Sequence, residues 1–194
     1  MNDSKKGGGI AMLVVVLGLI TLICALLLGV VNQITAPKIE ANQKATLDAA
    51  MAEIIPDAKF EAVDVSDDYK NPADKNAAAI TQAFKATKDG QDAGYCVEVM
   101  PKGFGGALTL IVGINSDGTV AGAKVTAHAE TPGLGAKAQQ DPSWMAQFAG
   151  KAADGSLAVT KDGGEINAIT GATITSRAVT KGVNTAAQFV ATLG

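Results

Sequence analysis

An α+β domain on an antiparallel sheet with flanking helices, preceded by one N-terminal transmembrane helix, is the architecture this sequence predicts. Three observations predict it. Ile10 to Val31 carries no charge and is almost wholly apolar. Further on, short apolar runs are separated by polar turns such as Lys88-Asp89-Gly90 and Ser116-Asp117-Gly118-Thr119, the pattern of hairpins. The chain then ends on a segment whose apolar residues, Val179, Val183, Ala186, Ala187, Val190 and Leu193, recur at helical spacing. Strands and helices do not alternate regularly, as they would in a parallel α/β fold.

At helical rise the uncharged run would extend about 33 Å, enough to cross a bilayer core. Lys5 and Lys6 precede it, as they would in a signal peptide. The run is longer than an ordinary signal core, however, and Ile34-Thr35-Ala36 is a poor cleavage site because Ile34 is not small. An uncleaved anchor is therefore expected. The two leading lysines favour a cytoplasmic N-terminus, with Lys38 weakening the charge difference. The expected organisation is a cytoplasmic N-terminus over 1–9, a transmembrane helix over 10–31, a connecting helix over 32–56 and an extracytoplasmic domain over 57–194, in a single-pass protein of the inner membrane.

Pro37 opens the connecting helix, with Ile39, Leu47, Met51, Ile54 and Ile55 on its apolar face and Pro56-Asp57 as its stop. Strands are expected at Phe60–Val65, Ala78–Thr87, Gly94–Met100, Leu108–Ile114 and Val120–Ala127, with a polar loop from Asp67 to Asn76. Asp141-Pro142-Ser143 caps a short helix carrying Trp144 and Phe148 one turn apart, core residues first and walls of a ligand site second. Thr170, Thr173 and Ser176 are the candidate N-caps of the last helix.

Composition excludes several classes of function. The net charge of −3 offers no basic surface for nucleic acid. One histidine, His128, and two cysteines, Cys24 and Cys96, form no Cys-x-x-Cys or Cys/His cluster, which argues against an intrinsic zinc or iron–sulfur site. Cys24 in the apolar run and Cys96 in a strand read as packed thiols that do not pair with each other. Any redox chemistry must therefore come from a bound organic cofactor.

The residues that point to one are Asn167-Ala168-Ile169-Thr170-Gly171-Ala172-Thr173-Ile174-Thr175-Ser176-Arg177, at the entrance of the last helix. Gly171 permits a sharp turn and Ala172 offers no bulk. A helix entrance presents free N–H groups and the positive end of the dipole, which suits a phosphate, although hydroxyls here also serve as plain caps. Thr-Gly-Ala-Thr-Ile-Thr closely resembles the flavinylation motif of the G subunit of Rnf redox complexes and of the C subunit of sodium-pumping NADH:quinone reductases. In that family the Thr after Gly-Ala carries FMN through a phosphoester bond, and the matching residue is Thr173. The family usually has Asp six residues before the acceptor; this chain has Asn167, which keeps the size and the acceptor oxygen but not the charge.

Two further segments are similar to signatures of the Rnf family: Gly103-Phe104-Gly105-Gly106-Ala107, and His128-Ala129-Glu130-Thr131-Pro132-Gly133-Leu134-Gly135. The resemblance covers most of residues 90 to 190 in order. Physically, Gly133 and Gly135 permit tight turns and close backbone approach, and Leu134 supplies a flat apolar contact. Thr131 and the loop amides can donate to the carbonyl edge of an isoalloxazine ring. Glu130 can fasten the loop or accept from the ring N3–H, and His128 can position the ring or simply tie the loop. Lys161 and Arg177 are candidate phosphate partners by charge.

The resemblance implies an FMN-binding domain with candidate cofactor residues Thr173, Thr170, Gly171, Ala172, Thr175, His128, Glu130, Thr131, Gly133, Leu134 and Gly135, and no metal. It implies covalent FMN, a separate flavin transferase that uses FAD, other membrane subunits of an Rnf complex as partners, and electron relay between ferredoxin and NAD coupled to ion pumping. The alternatives are a C-type subunit of the sodium-pumping quinone reductase and a flavin-free anchored binding or sensor module.

Overall fold

The computed structural model describes residues 4–74 and 77–193. Residues 1–3 of the expected cytoplasmic N-terminus, 75–76 of the expected polar loop and the terminal Gly194 lie outside the described residues. The chain divides between Ala45 and Thr46 into two compact units.

The first unit is helical. Helix α1 runs without a break from Ser4 to Ile54, with Pro37 inside it. By length and composition it is the one described helix able to cross a membrane. Its apolar side chains are exposed from Met12 to Ile34, as a lipid-facing surface requires. The expected separate helix opening at Pro37 is thus a continuation of the first. A proline inside a helix forfeits one backbone hydrogen bond. Just before it, Thr35 Oγ1 donates back to the Val31 carbonyl at 2.9 Å.

In the second unit five strands run in chain order through one antiparallel sheet: β1 Lys59–Val63, β2 Ala79–Lys88, β3 Gln91–Met100, β4 Thr109–Asn115 and β5 Val120–Ala127. Each expected strand is present, with ends shifted by up to three residues. The expected loop after β1 contains one short turn of helix, α2, Asp67–Lys70.

Alternation along the strands sends two sets of side chains to opposite faces. On one face Cys96, Ile111 and Ala86 pack with Leu47, Ala50, Met51 and Ile55 from the end of α1 and just beyond it. Gly113 is fitted to that contact, because a Cβ there would overlap Ile54. On the other face Val97, Val99, Leu110, Val112 and Ile114 pack against the last helix, α5, Thr173–Val190, through Val179, Val183, Ala186 and Phe189.

The short helices α3, Lys137–Gln140, and α4, Pro142–Met145, follow β5. Asp141 caps α4 as expected, its Oδ1 accepting from the amides of Ser143 at 3.0 Å and Trp144 at 3.3 Å. Phe148 is fully buried, and its ring meets Trp144 edge to face at 5.6 Å.

Candidate functional site

Thr173 is the first residue of α5, and its side chain is half-buried at the helix mouth. None of the expected hydroxyl caps is used. The N-cap is Ala172, and no side chain caps the helix. The first helical bond runs from Ser176 N–H to the Ala172 carbonyl at 3.0 Å, so the amides of Thr173, Ile174 and Thr175 have no partner within the helix. Ser176 is buried and staples the turn instead: its Oγ accepts from Ile169 N–H at 2.9 Å and donates to the Ala172 carbonyl at 3.0 Å. Gly171, at φ +77°, makes the turn that a residue with a Cβ would make under strain.

Two cations are candidates here by charge alone, and the geometry separates them. Lys161 Nζ donates to Thr173 Oγ1 at 3.2 Å. Arg177 is committed elsewhere, in a two-pronged pair with Asp162 at 2.7 and 2.6 Å. Lys161 and Asp162 both belong to a single turn of 3-10 helix, Thr160–Asp162. Asn167 has its backbone gripped: its carbonyl accepts from Trp144 Nε1 at 2.6 Å and its N–H donates to Gln147 Oε1 at 2.8 Å. Asn167 is otherwise exposed, and Thr170 beyond it is exposed too.

The loop after β5 reaches the same mouth. Leu134 is 43 % exposed, and a Cβ on Gly171 would lie 3.0 Å from its Cδ2. Phe104, 71 % exposed, and Ile174, 52 % exposed, are the other large apolar side chains left open on these segments. Thr131 and Gly133 are exposed on the loop, whereas Gly135 and Ala172 are buried. His128 Nδ1 accepts from the Glu130 N–H at 3.1 Å, which leaves Nε2 as the protonated nitrogen of the neutral ring. Glu130 is only 6 % exposed, and Thr175 is 1 % exposed. Their side chains are bonded to each other at 2.8 Å. Trp144 and Phe148 belong to the core, the role their spacing suggested first.

A helix mouth with uncapped amides, a lysine on its first hydroxyl and open apolar side chains nearby suits a ligand that is anionic at one end and flat and apolar at the other. FMN has that chemistry. The family model described as FMN-binding domain matches residues 103–188, which takes in all of these segments. A second, described as RnfG N-terminal region, matches residues 10–54. The G subunit of the ion-translocating oxidoreductase complex of Shewanella piezotolerans is 35 % identical over 160 residues, covering 78 % of this chain and 75 % of that protein. The chain belongs to the RnfG family. The corresponding RnfG-type relative of Vibrio vulnificus, also named as the G subunit of an ion-translocating oxidoreductase complex, is 36 % identical over 177 residues, covering 86 % of this chain and 82 % of its own. The crystal structure of Shewanella oneidensis NqrC is similar over 69 % of this chain and 80 % of that one, at TM-score 0.49 and 21 % identity. Among the residues at this RnfG-family mouth, Lys161 is the one that motif matching could not supply. Its partner Thr173 lies in another segment, and only the fold brings them together.

Proposed function

We propose that this protein is the membrane-anchored flavoprotein subunit of an ion-translocating oxidoreductase complex of the Rnf type, with FMN joined through its phosphate to Thr173 Oγ1. The observation that carries the reading is the uncapped mouth of α5 with the Lys161 ammonium on the Thr173 hydroxyl. The amides of Thr173 to Thr175 and the dipole of α5 would hold the phosphate, and Lys161 would neutralise it. Leu134, Thr131, Gly133 and His128 would lie against the ring, His128 offering its Nε2–H. Bound flavin supplies one-electron transfer.

Attachment would be catalysed by a separate flavin transferase with FAD as donor. Thr173 Oγ1 gains a bond to the phosphorus and loses its proton, and AMP leaves. A covalent tie makes physical sense for a cofactor in a shallow site outside the cytoplasm, where dissociation would otherwise lose it. α1 would span the membrane once, with the N-terminus cytoplasmic and the flavin domain on the far side. The other membrane subunits would be its partners in relaying electrons between ferredoxin and NAD.

Protein purified from its own membranes should keep yellow-green fluorescence on a denaturing gel, and a tryptic peptide spanning Thr173 should carry the mass of FMN less water. Thr173→Ala should remove both signals, and Thr170→Ala should keep them. A wild-type protein that is colourless and has only its polypeptide mass would sink the reading. Fluorescence retained in Thr173→Ala would move the bond to another hydroxyl.

A further inference from the structure

Three segments converge on one buried carboxylate. Glu130 Oε1 accepts from the Gly105 N–H at 3.0 Å, and Oε2 accepts from Thr175 Oγ1 at 2.8 Å. A Cβ on Gly103 would overlap Oε1, and one on Gly135 would overlap Oε2. Neither glycine is at positive φ, so both are explained by room for the carboxylate rather than by a turn. Among the described residues no salt bridge includes Glu130. Its charge is met by an amide, a hydroxyl and the positive end of α5, where Thr175 sits in the first turn. Thr175 lies two residues beyond Thr173 in that turn.

We propose that Glu130 and Thr175 are a positioning pair. Through the Thr175 hydroxyl, the carboxylate ties the first turn of α5 to the Gly103–Gly106 segment, and so presents the Thr173 hydroxyl at a fixed place in the mouth. The proposal rests on Thr173 being the attachment residue. Neither member of the pair touches the reacting atoms, and Glu130 has both oxygens committed within the protein.

The test uses the full chain in detergent with flavin transferase and FAD, following mass gain over time. Thr175→Val keeps the size and removes the donor, while Thr175→Ser keeps the hydroxyl. Thr175→Val should gain mass roughly tenfold more slowly, and Thr175→Ser within about twofold of wild type. Before flavin is added, amide exchange at Gly105 and at residues 173–175 should be faster in Thr175→Val. If Thr175→Val does not fold, Glu130→Gln makes the same test: it still accepts from Gly105 but loses the charge-assisted bond, and attachment should slow. Wild-type rates in a folded Thr175→Val or Glu130→Gln overturn the pair, and so does equal slowing in Thr175→Ser and Thr175→Val. A wild-type chain that gains no mass overturns the attachment reading and this proposal with it.

Discussion

The two faces of the sheet are packed by different means. Against the end of α1 the buried contact is apolar, with Leu47, Met51 and Ile55 on Ala86, Cys96 and Ile111, and the Lys124–Glu53 ion pair at its edge is exposed. Around α5 the buried set also includes Glu130, Thr175, Ser176 and Thr180. A buried polar group is costly unless it is bonded, and each of these is bonded within the protein. One face holds the fold alone, and the other holds both the fold and the site. Changes on the first should lower stability and leave the chemistry of each folded molecule untouched; changes on the second should separate into core effects and mouth effects.

The largest effect is expected in the core on the α5 side. Phe148→Ala empties a fully buried aromatic position and should cost about 3–5 kcal/mol in chemical unfolding of the full chain. A cost below about 1 kcal/mol would put this ring in a cofactor cleft rather than the core and blur the division. On the opposite face Gly113→Val would push a side chain into Ile54. Overpacking there should cost about 1–3 kcal/mol. Flavin per folded molecule, measured as absorbance against protein after removal of aggregate, should stay at the wild-type level.

What could be read from the sequence follows the same division. The long N-terminal helix was legible because an uncharged apolar run needs no tertiary context. The strands were legible because their turns, such as Ser116-Asp117-Gly118-Thr119, are local. Pro37 misled, since a first-turn proline and a proline inside a continuous helix look alike in sequence. The cap of α5 misled as well. Several hydroxyls were available, yet Ser176 turned inward as a staple, Thr175 went to Glu130 and Thr173 was left open to Lys161. Gly135 read in sequence as a turn glycine that allows close approach, but it is not at positive φ, and a Cβ there would overlap the Glu130 carboxylate that only the fold puts beside it.

Lys161 and Arg177 carry the contrast into the mouth itself. Lys161→Met removes the donor on the Thr173 hydroxyl and should slow flavin attachment roughly tenfold in a timed mass assay. Arg177→Gln breaks an exposed pair with Asp162 and should stay within about twofold of wild type. The opposite order would make Arg177 the phosphate partner and Lys161 a bystander.

The smallest effect concerns that exposed pair and depends on pH. The Arg177 guanidinium, chiefly through its hydrogen bonds and then through its charge, holds Asp162 below the ordinary carboxylate value of 3.8. A carboxylate depressed in the folded protein adds stability above its unfolded pKa, and that stability is lost as pH falls through the folded value. Melting curves of wild type and Arg177→Gln should therefore differ slightly and constantly near neutral pH, then converge as the pH drops below 3.8. Added salt should shrink the neutral-pH gap, because both side chains are largely open to solvent. A gap that persists in acid would mean that Arg177 supports the mouth through something other than Asp162. In that case the arginine returns as a candidate for holding the phosphate, and the contrast with Lys161 loses its structural basis.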